Sequence, residues 1–358
     1  MSSLPEEICF DIFQRLPVKS TLVCKCVCKN WYSLISNPNF VRAHHSLTIQ
    51  KTNFSIMISE FDDNKLHDVI RSISYDPLSF SSNEFHLYGV EIGTPLGCLE
   101  EDIQFVGSCN GFVCFWSQQK QFFGLWNPHS NEYKELPKSP NISVDRIRSP
   151  YAFGYDYSAG YYKVICLDDV GDGSSVDVYT IGPNSWKSTQ IIPHWMYPVE
   201  EPGVLLNGVF HWLGYMTDNY SDVIISLDIS GEKFKALQPP KVSLEKRQWG
   251  LSAGVLKDCL SVLCSGVNVE VWVMQDYGVQ ESWTRYYTIT HEGIPRACTL
   301  KLMWSFSSGE ILFATGGCYL ADLVLYDPND GSAREPNMHV ENQIFPFQNG
   351  MNAIVLKA

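Results

Sequence analysis

The apolar positions of this chain change period once, near residue 45. Before that point they follow helical spacing. Ile8, Ile12 and Leu16 recur at i, i+4 and i+8, and Cys9 and Phe13 widen the stripe. The pattern predicts a helix, with Pro5 in its first turn and Ser3 and Glu6 at capping-box spacing. Pro17 has no N–H to donate and predicts where that helix ends. Ser20 is placed to cap a second short helix carrying Leu22 and Val27. A third run holds Trp31, Leu34 and Ile35, and Asn37-Pro38 stops it. Three short helices bury little surface, and a unit of this size rarely supplies more than about 3–5 kcal/mol. Its apolar content exceeds what it can hide, so a partner or the following domain is expected to cover the remainder.

After residue 45 short runs rich in Val, Ile, Tyr, Phe and Trp alternate with Gly, Asn, Asp and Pro, which is the pattern of strands and turns. Phe54 to Ile58, Phe85 to Ile92, Gly111 to Trp116, Tyr161 to Leu167 and Val209 to Leu213 are strand candidates, as is Thr48-Ile49; Lys65 to Ile73 fits a helical turn or a strand. The run repeats. Hairpin-type turns fall at Asn110-Gly111, Ala159-Gly160, Asn207-Gly208, Lys257-Asp258 and Ser308-Gly309, and their second residues lie 49, 48, 50 and 51 apart. A second landmark, a strand ending in a polar turn, starts at Leu125, Val178, Ser226, Val271 and Val324, with steps of 53, 48, 45 and 53. Two landmarks repeating near 50 match the size of a kelch-type propeller blade. Residues 46–100 and the tail Ile344 to Leu356 are left over and together suit a sixth blade, which would remove exposed edges. The fold expected is therefore α+β and multidomain: a three-helix module over 1–45 and a mostly-β domain over 46–358, a kelch-like six-bladed β-propeller, with a pair of β-sandwiches as the alternative.

Charge narrows the functional classes. The net charge is −13, and since the first 45 residues carry five basic and three acidic residues, the β domain holds about −15. Phosphate affinity needs clustered Lys and Arg, so nucleic-acid binding is not expected; the charge suits solubility and also a basic protein partner. No run of 18 apolar residues exists, and Glu6, Glu7 and Asp11 interrupt the start, so neither a membrane span nor a signal peptide is read, and a cytoplasmic or nuclear location is expected. Cys24, Cys26 and Cys28 do not converge on one ion if helical, because position 26 points away from the other two. The acidic loop Asp168, Asp169 and Asp172 lacks calcium-loop spacing, and no HExxH, GxSxG or GxxxxGK[ST] occurs. No catalytic residue, metal or cofactor is expected. The repeating tryptophans read as inter-blade core. Trp195, Tyr197 and Trp249 lie nearer loops and are candidates for target binding.

The helical residues carry a resemblance. Leu4-Pro5-Glu6-Glu7-Ile8, Ile12, Leu16-Pro17, Ser20, Leu22, Cys26-Val27-Cys28-Lys29 and Trp31 resemble an F-box. Thr21 and Val23 depart from the usual leucine and basic residue. The resemblance implies binding to a Skp-type adaptor, and through it to cullin and RING subunits of a ubiquitin ligase. The adaptor-contact candidates it implies are Leu4, Pro5, Ile8, Ile12, Leu16, Pro17, Leu22, Val27 and Trp31. In the β domain, Gly107 to Gly111, Leu125-Trp126-Asn127-Pro128, Phe153-Gly154-Tyr155-Asp156, Ser185-Trp186-Lys187 and Ser282-Trp283-Thr284 are similar to the F-box-associated domain of plant F-box proteins, a group that includes the S-locus F-box proteins. The role implied is a non-catalytic substrate receptor that brings a target protein to ubiquitination and proteasomal degradation. The alternatives are a non-degradative scaffold and a propeller enzyme.

Overall fold

The computed structural model describes residues 5–16, 18–37, 40, 54–62, 67–74, 86–92, 103–117, 120–139, 150–171, 173–188, 192–196, 202–242, 250–290, 299–306, 308–316, 323–334, 337–340, 343–346 and 352–357. Three helices open it: α1 (Glu6–Phe13), α2 (Val18–Lys25) and α3 (Lys29–Ser36). Pro5 precedes α1 as its N-cap instead of entering the first turn, and its carbonyl accepts the N–H groups of Ile8 and Cys9 at 3.1 Å each. Glu6 and Glu7 then sit at the positive end of the helix dipole. Ser20 does not cap α2. That helix begins at Val18, which leaves Ser20 inside the first turn. Ser3 and Pro17 lie outside the described residues. The module closes around Cys9 and Phe13 of α1, Ile35 of α3 and Phe40, with Phe13 meeting Trp31 edge-on at 4.7 Å and Phe10 meeting Phe40 at 5.3 Å.

The remainder is a mostly-β propeller. Five blades are each built from one contiguous run, and in each the strands pair antiparallel in chain order. Blade 1 contains Ile103–Cys109, Phe112–Ser117, Phe122–Asn127 and Glu132–Glu135. Blade 2 contains Tyr151–Asp156, Tyr161–Asp169, Ser174–Thr180 and Ser185–Ser188. Blade 3 contains Val204–Leu206, Val209–Met216, Asp222–Asp228 and Phe234–Leu237, with His194–Met196 pairing further along Val209–Met216. Blade 4 contains Gly250–Leu256, Cys259–Ser265, Asn268–Met274 and Trp283–Thr290; blade 5 contains Thr299–Ser305, Ile311–Gly316, Leu323–Tyr326 and Ala333–Arg334. A sixth sheet joins both ends of the chain in the order Gln343–Pro346, Asn337–Val340, His86–Glu91, His67–Ser74, Phe54–Asp62, Asn352–Lys357. The ambiguous run from Lys65 to Ile73 is thus a strand, His67–Ser74, while Thr48-Ile49 lies outside the described residues.

The sequence repeat has a direct structural meaning. Its first landmark is the link between the first and second strands of each blade. At Asn110-Gly111, Asn207-Gly208 and Lys257-Asp258 both residues have positive φ, as a two-residue hairpin requires. Its second landmark is the third strand and the turn into the fourth. Consecutive blades pack face to face. Phe123, Tyr151 and Val164 share one core across blades 1 and 2, and Leu256, Leu300 and Phe313 share another across blades 4 and 5. This arrangement excludes the sandwich pair, which would bury two sheet faces against each other only once. The tryptophans of the repeat also latch the rim. Trp186 Nε1 donates to the Pro137 carbonyl at 2.7 Å, and Trp283 Nε1 donates to the Gln238 carbonyl at 2.9 Å. Each acceptor follows the outer strand of the preceding blade.

Candidate functional site

The apolar stripe of α1 splits into two faces. Cys9 and Phe13 point inward and are buried, whereas Ile8 and Ile12 remain 47% and 43% exposed. One residue is a rotation of about 100° on a helix, so a stripe occupying i, i+1, i+4 and i+5 is too wide for a single contact. Val23 and Val27, after it, are also exposed, at 68% and 60%. Tyr32 of α3 is exposed, with the Lys25 ammonium 6.0 Å from its ring. Four exposed β-branched side chains leave more apolar area in water than so small a module would favour. An exposed ion pair, Arg15 to Asp11 at 2.8 Å, borders it on α1. Hydrogen bonds from Arg15 and Gln14 hold the Asp11 carboxyl below its usual range.

The other adaptor candidates fall into different positions. Leu16 and Trp31 are partly buried against the module core, so they support the face from behind more than they present it. Pro5 is exposed at the start of α1. Leu22 lies within α2, while Leu4 and Pro17 are outside the described residues. Thr21, which departs from the usual F-box pattern, is buried, and its hydroxyl donates to the Phe13 carbonyl at 3.5 Å.

Comparison with known proteins decides the family. A model described as the F-box associated beta propeller domain matches residues 95–353, and the F-box domain model matches residues 1–43. The chain belongs to the F-box proteins with an F-box-associated β-propeller. Among relatives from Arabidopsis thaliana, it is 29% identical to F-box/kelch-repeat protein At3g23880 over 80% of this chain and 79% of that one. It is 28% identical to F-box protein CPR1, over 81% of this chain and 73% of that one. Among solved structures, TolB from Acinetobacter baumannii superposes with a TM-score of 0.50 at 11% identity, over 84% of this chain and 66% of that one, a likeness of fold alone.

The propeller of this F-box protein holds two buried polar clusters that could be mistaken for reactive centres. In the first, Lys163 Nζ donates to the Ile229 carbonyl at 2.7 Å and pairs with Glu232 at 3.0 Å and Asp156 at 3.1 Å. The second oxygen of Asp156 accepts from the hydroxyls of Ser158 and Ser230 and the N–H groups of Ser158 and Ala159. Burial alone would raise the Asp156 carboxyl, but these donors and Lys163 outweigh it and hold the group well below the carboxylate range. Its lone pairs are committed, so the cluster is a clamp between blades 2 and 3 and not an acid–base pair. In the second, His211 is fully buried, with Nδ1 3.2 Å from the Val204 carbonyl and Nε2 2.8 Å from the Tyr277 hydroxyl. A carbonyl only accepts, so Nδ1 carries the proton and Nε2 accepts from Tyr277. Burial pushes the ring down to about 4, against the Val204 and Val209 carbonyls. Among the described residues no group of three or more His, Cys, Asp or Glu could hold a metal ion.

The sequence candidates for target binding are not brought together in the described residues. Trp195 lies in the strand His194–Met196, opposite Tyr215, whereas Tyr197 and Trp249 fall outside. What sequence reasoning missed is a set of tyrosines at the other end of the blades. Tyr157 and Tyr277 are 59% and 50% exposed in turns, and Tyr161 is exposed with its ring over Gly182. The signal was available in Tyr155-Asp156-Tyr157 and Asp276-Tyr277-Gly278, where an aromatic residue sits inside a turn.

Proposed function

We propose that this protein is the substrate-recognition subunit of an SCF-type ubiquitin ligase. On this reading the F-box, residues 1–45, docks a Skp-family adaptor that connects to cullin and RING subunits, and the domain over 46–358 holds a target protein. The observation that carries it is the exposed Ile8–Ile12 face, with Val27 also exposed on the same small module. Leu4, Pro5, Leu16, Pro17, Leu22 and Trp31 complete the proposed adaptor surface. Such a ligase acts by raising the effective concentration of target lysines near a charged ubiquitin-conjugating enzyme, so this subunit needs no catalytic residue of its own. The sixth sheet is read as a sixth blade. Its strand Asn352–Lys357 approaches both Ile103–Cys109 and Thr299–Ser305, as an innermost strand closing the ring would. Work in the cytoplasm or nucleus fits this role.

Replacing both Ile8 and Ile12 with Glu tests the reading. The pair is exposed, so the module core is untouched, and adaptor pull-down should be lost while the propeller stays folded. Undiminished adaptor binding refutes the surface. Leu16 is a poorer probe because it supports the core. Target turnover that is unchanged by proteasome inhibition would favour a non-degradative scaffold.

A further inference from the structure

The turns that join first to second strands, and third to fourth, all lie at one end of the propeller, because antiparallel blades alternate direction. Contacts across the seams place them side by side. Tyr157 of blade 2 reaches Asn110 of blade 1 at 3.5 Å, and Ser158 of blade 2 reaches Ser230 of blade 3 at 2.8 Å. Tyr277 of blade 4 meets His211 of blade 3. Tyr157 is not an isolated side chain. It packs edge-on against Tyr155 at 4.9 Å, Tyr155 packs on Tyr162 at 4.7 Å, and Tyr162 packs on Phe112 of blade 1 at 5.3 Å. The exposed ring is therefore held rigidly from below, at little entropic cost on binding. Val279 adds apolar surface beside Tyr277.

The charge at this end is one-sided. Asp156, Glu232 and Glu310 are neutralised internally by Lys163, Lys187 and Arg334. Glu132, Asp228, Asp258, Asp276, Glu281 and Asp330 remain exposed in or beside the turns, with no ion pair among the described residues. Lys233 and Lys257 oppose them in those turns, Lys134 stands beside Glu132 and donates to Asn184 at 3.1 Å, and Arg334 acts on Asp330, while Lys257 lies 5.6 Å from the Tyr286 ring. Among the described residues at the opposite end, the exposed Asp169 and Asp218 and the half-buried Asp168 and Asp222 face Lys120, Lys138 and Lys241. Among the described residues the acidic excess is therefore larger at the end that carries the tyrosines.

We propose that this end of the propeller is a docking surface for a Lys/Arg-rich segment of the target protein. Exposed tyrosine faces attract ammonium and guanidinium groups by their ring quadrupoles, and the surrounding carboxylates steer and hold the same groups. The inference rests on the reading of this chain as a target receptor, and names the chemistry of the segment it receives. It also moves target recognition away from Trp195, at the far end of its blade.

The test uses the full chain and a displayed library of short random peptides. Selected binders should be enriched in Lys and Arg and should weaken as salt rises, because exposed charges are screened. Neutralising four carboxylates (Asp258→Asn, Asp276→Asn, Glu281→Gln and Asp330→Asn) should weaken those binders by about tenfold or more, and Tyr157→Ser should do so independently. The Ile8→Glu/Ile12→Glu variant should keep full peptide binding while losing the adaptor, which separates failure of this surface from failure of adaptor docking. Neutral or acidic binders, binding that is unaffected by the four substitutions, or binding lost on Trp195→Ala would each overturn the proposal.

Discussion

Replacing Lys163 with Met should be among the most damaging single changes in the propeller. The side chain is only 7% exposed, and its ammonium serves two blades at once. Methionine keeps most of the stem volume, so the change isolates the charge and its hydrogen bonds. The three partners fare differently. The Ile229 carbonyl loses a 2.7 Å donor. Glu232 keeps Lys187 at 2.8 Å, but Lys187 is 70% exposed and its pair is screened by water. Asp156, at 2% side-chain exposure, keeps the donors to one oxygen and loses the cation facing the other. Breaking a buried pair from one side leaves a buried charge uncompensated, which costs about 3–5 kcal/mol.

The assay is the denaturant midpoint of the isolated full chain, measured beside Lys187→Met and the double variant Lys163→Met/Asp156→Asn. Lys187→Met should cost under about 1 kcal/mol, since it removes only an exposed partner. The double variant should recover part of the loss, because it removes the orphaned charge as well as the cation. A Lys163→Met cost below about 1 kcal/mol, or a double variant less stable than the single one, would refute the clamp. The same cluster sets an acid limit. A carboxyl whose folded pKa is depressed contributes stability above its unfolded pKa, and Asp156 and Glu232 are both held down, so their contribution should fade as pH drops below about 4.

Two further predictions concern a buried ring and the rim of the propeller. His211 folds neutral, with its ring pushed down to about 4 from an ordinary 6.5, so the unfolded chain binds the extra proton first. Its stability is complete above about pH 6.5 and is lost as pH falls towards 4, a change of about 3 kcal/mol that His211→Gln should flatten in denaturation midpoints taken across that window. Trp186→Phe and Trp283→Phe remove the rim hydrogen bonds to Pro137 and Gln238. Each should cost about 1–2 kcal/mol, and matched calorimetry that finds both neutral would remove the latch from the account.

The propeller was legible because its repeat is written in backbone chemistry. Positions such as Asn110-Gly111 and Asn207-Gly208 need positive φ at both residues, and few residue types tolerate that. Hence a two-residue signal with positive φ recurs at three of the five links between first and second strands, and a single positive-φ glycine at the other two. The sixth sheet was harder to read, because its strands come from chain segments nearly 300 residues apart, such as Phe54–Asp62 and Asn352–Lys357, and no local pattern encodes that pairing. The clamp was invisible for the same reason. Lys163 and Glu232 are 69 positions apart and look like ordinary surface charges in their own strands and turns.

The opening helix shows the sharper limit of periodicity. Ile8, Cys9, Ile12 and Phe13 all belong to one apolar stripe, and spacing alone does not say which half faces inward. Partner geometry settles it. Phe13 finds the edge of Trp31 at 4.7 Å, and Cys9 joins Ile35 in the same core, which turns Ile8 and Ile12 outward. A stripe two residues wide on a helix of only eight residues is more than one small core can cover. On the proposed adaptor-docking role the excess is explained: a module that needed only to fold could have placed polar residues at positions 8 and 12 without disturbing Phe13. That both carry isoleucine is what joins the folding argument for this helix to the docking argument.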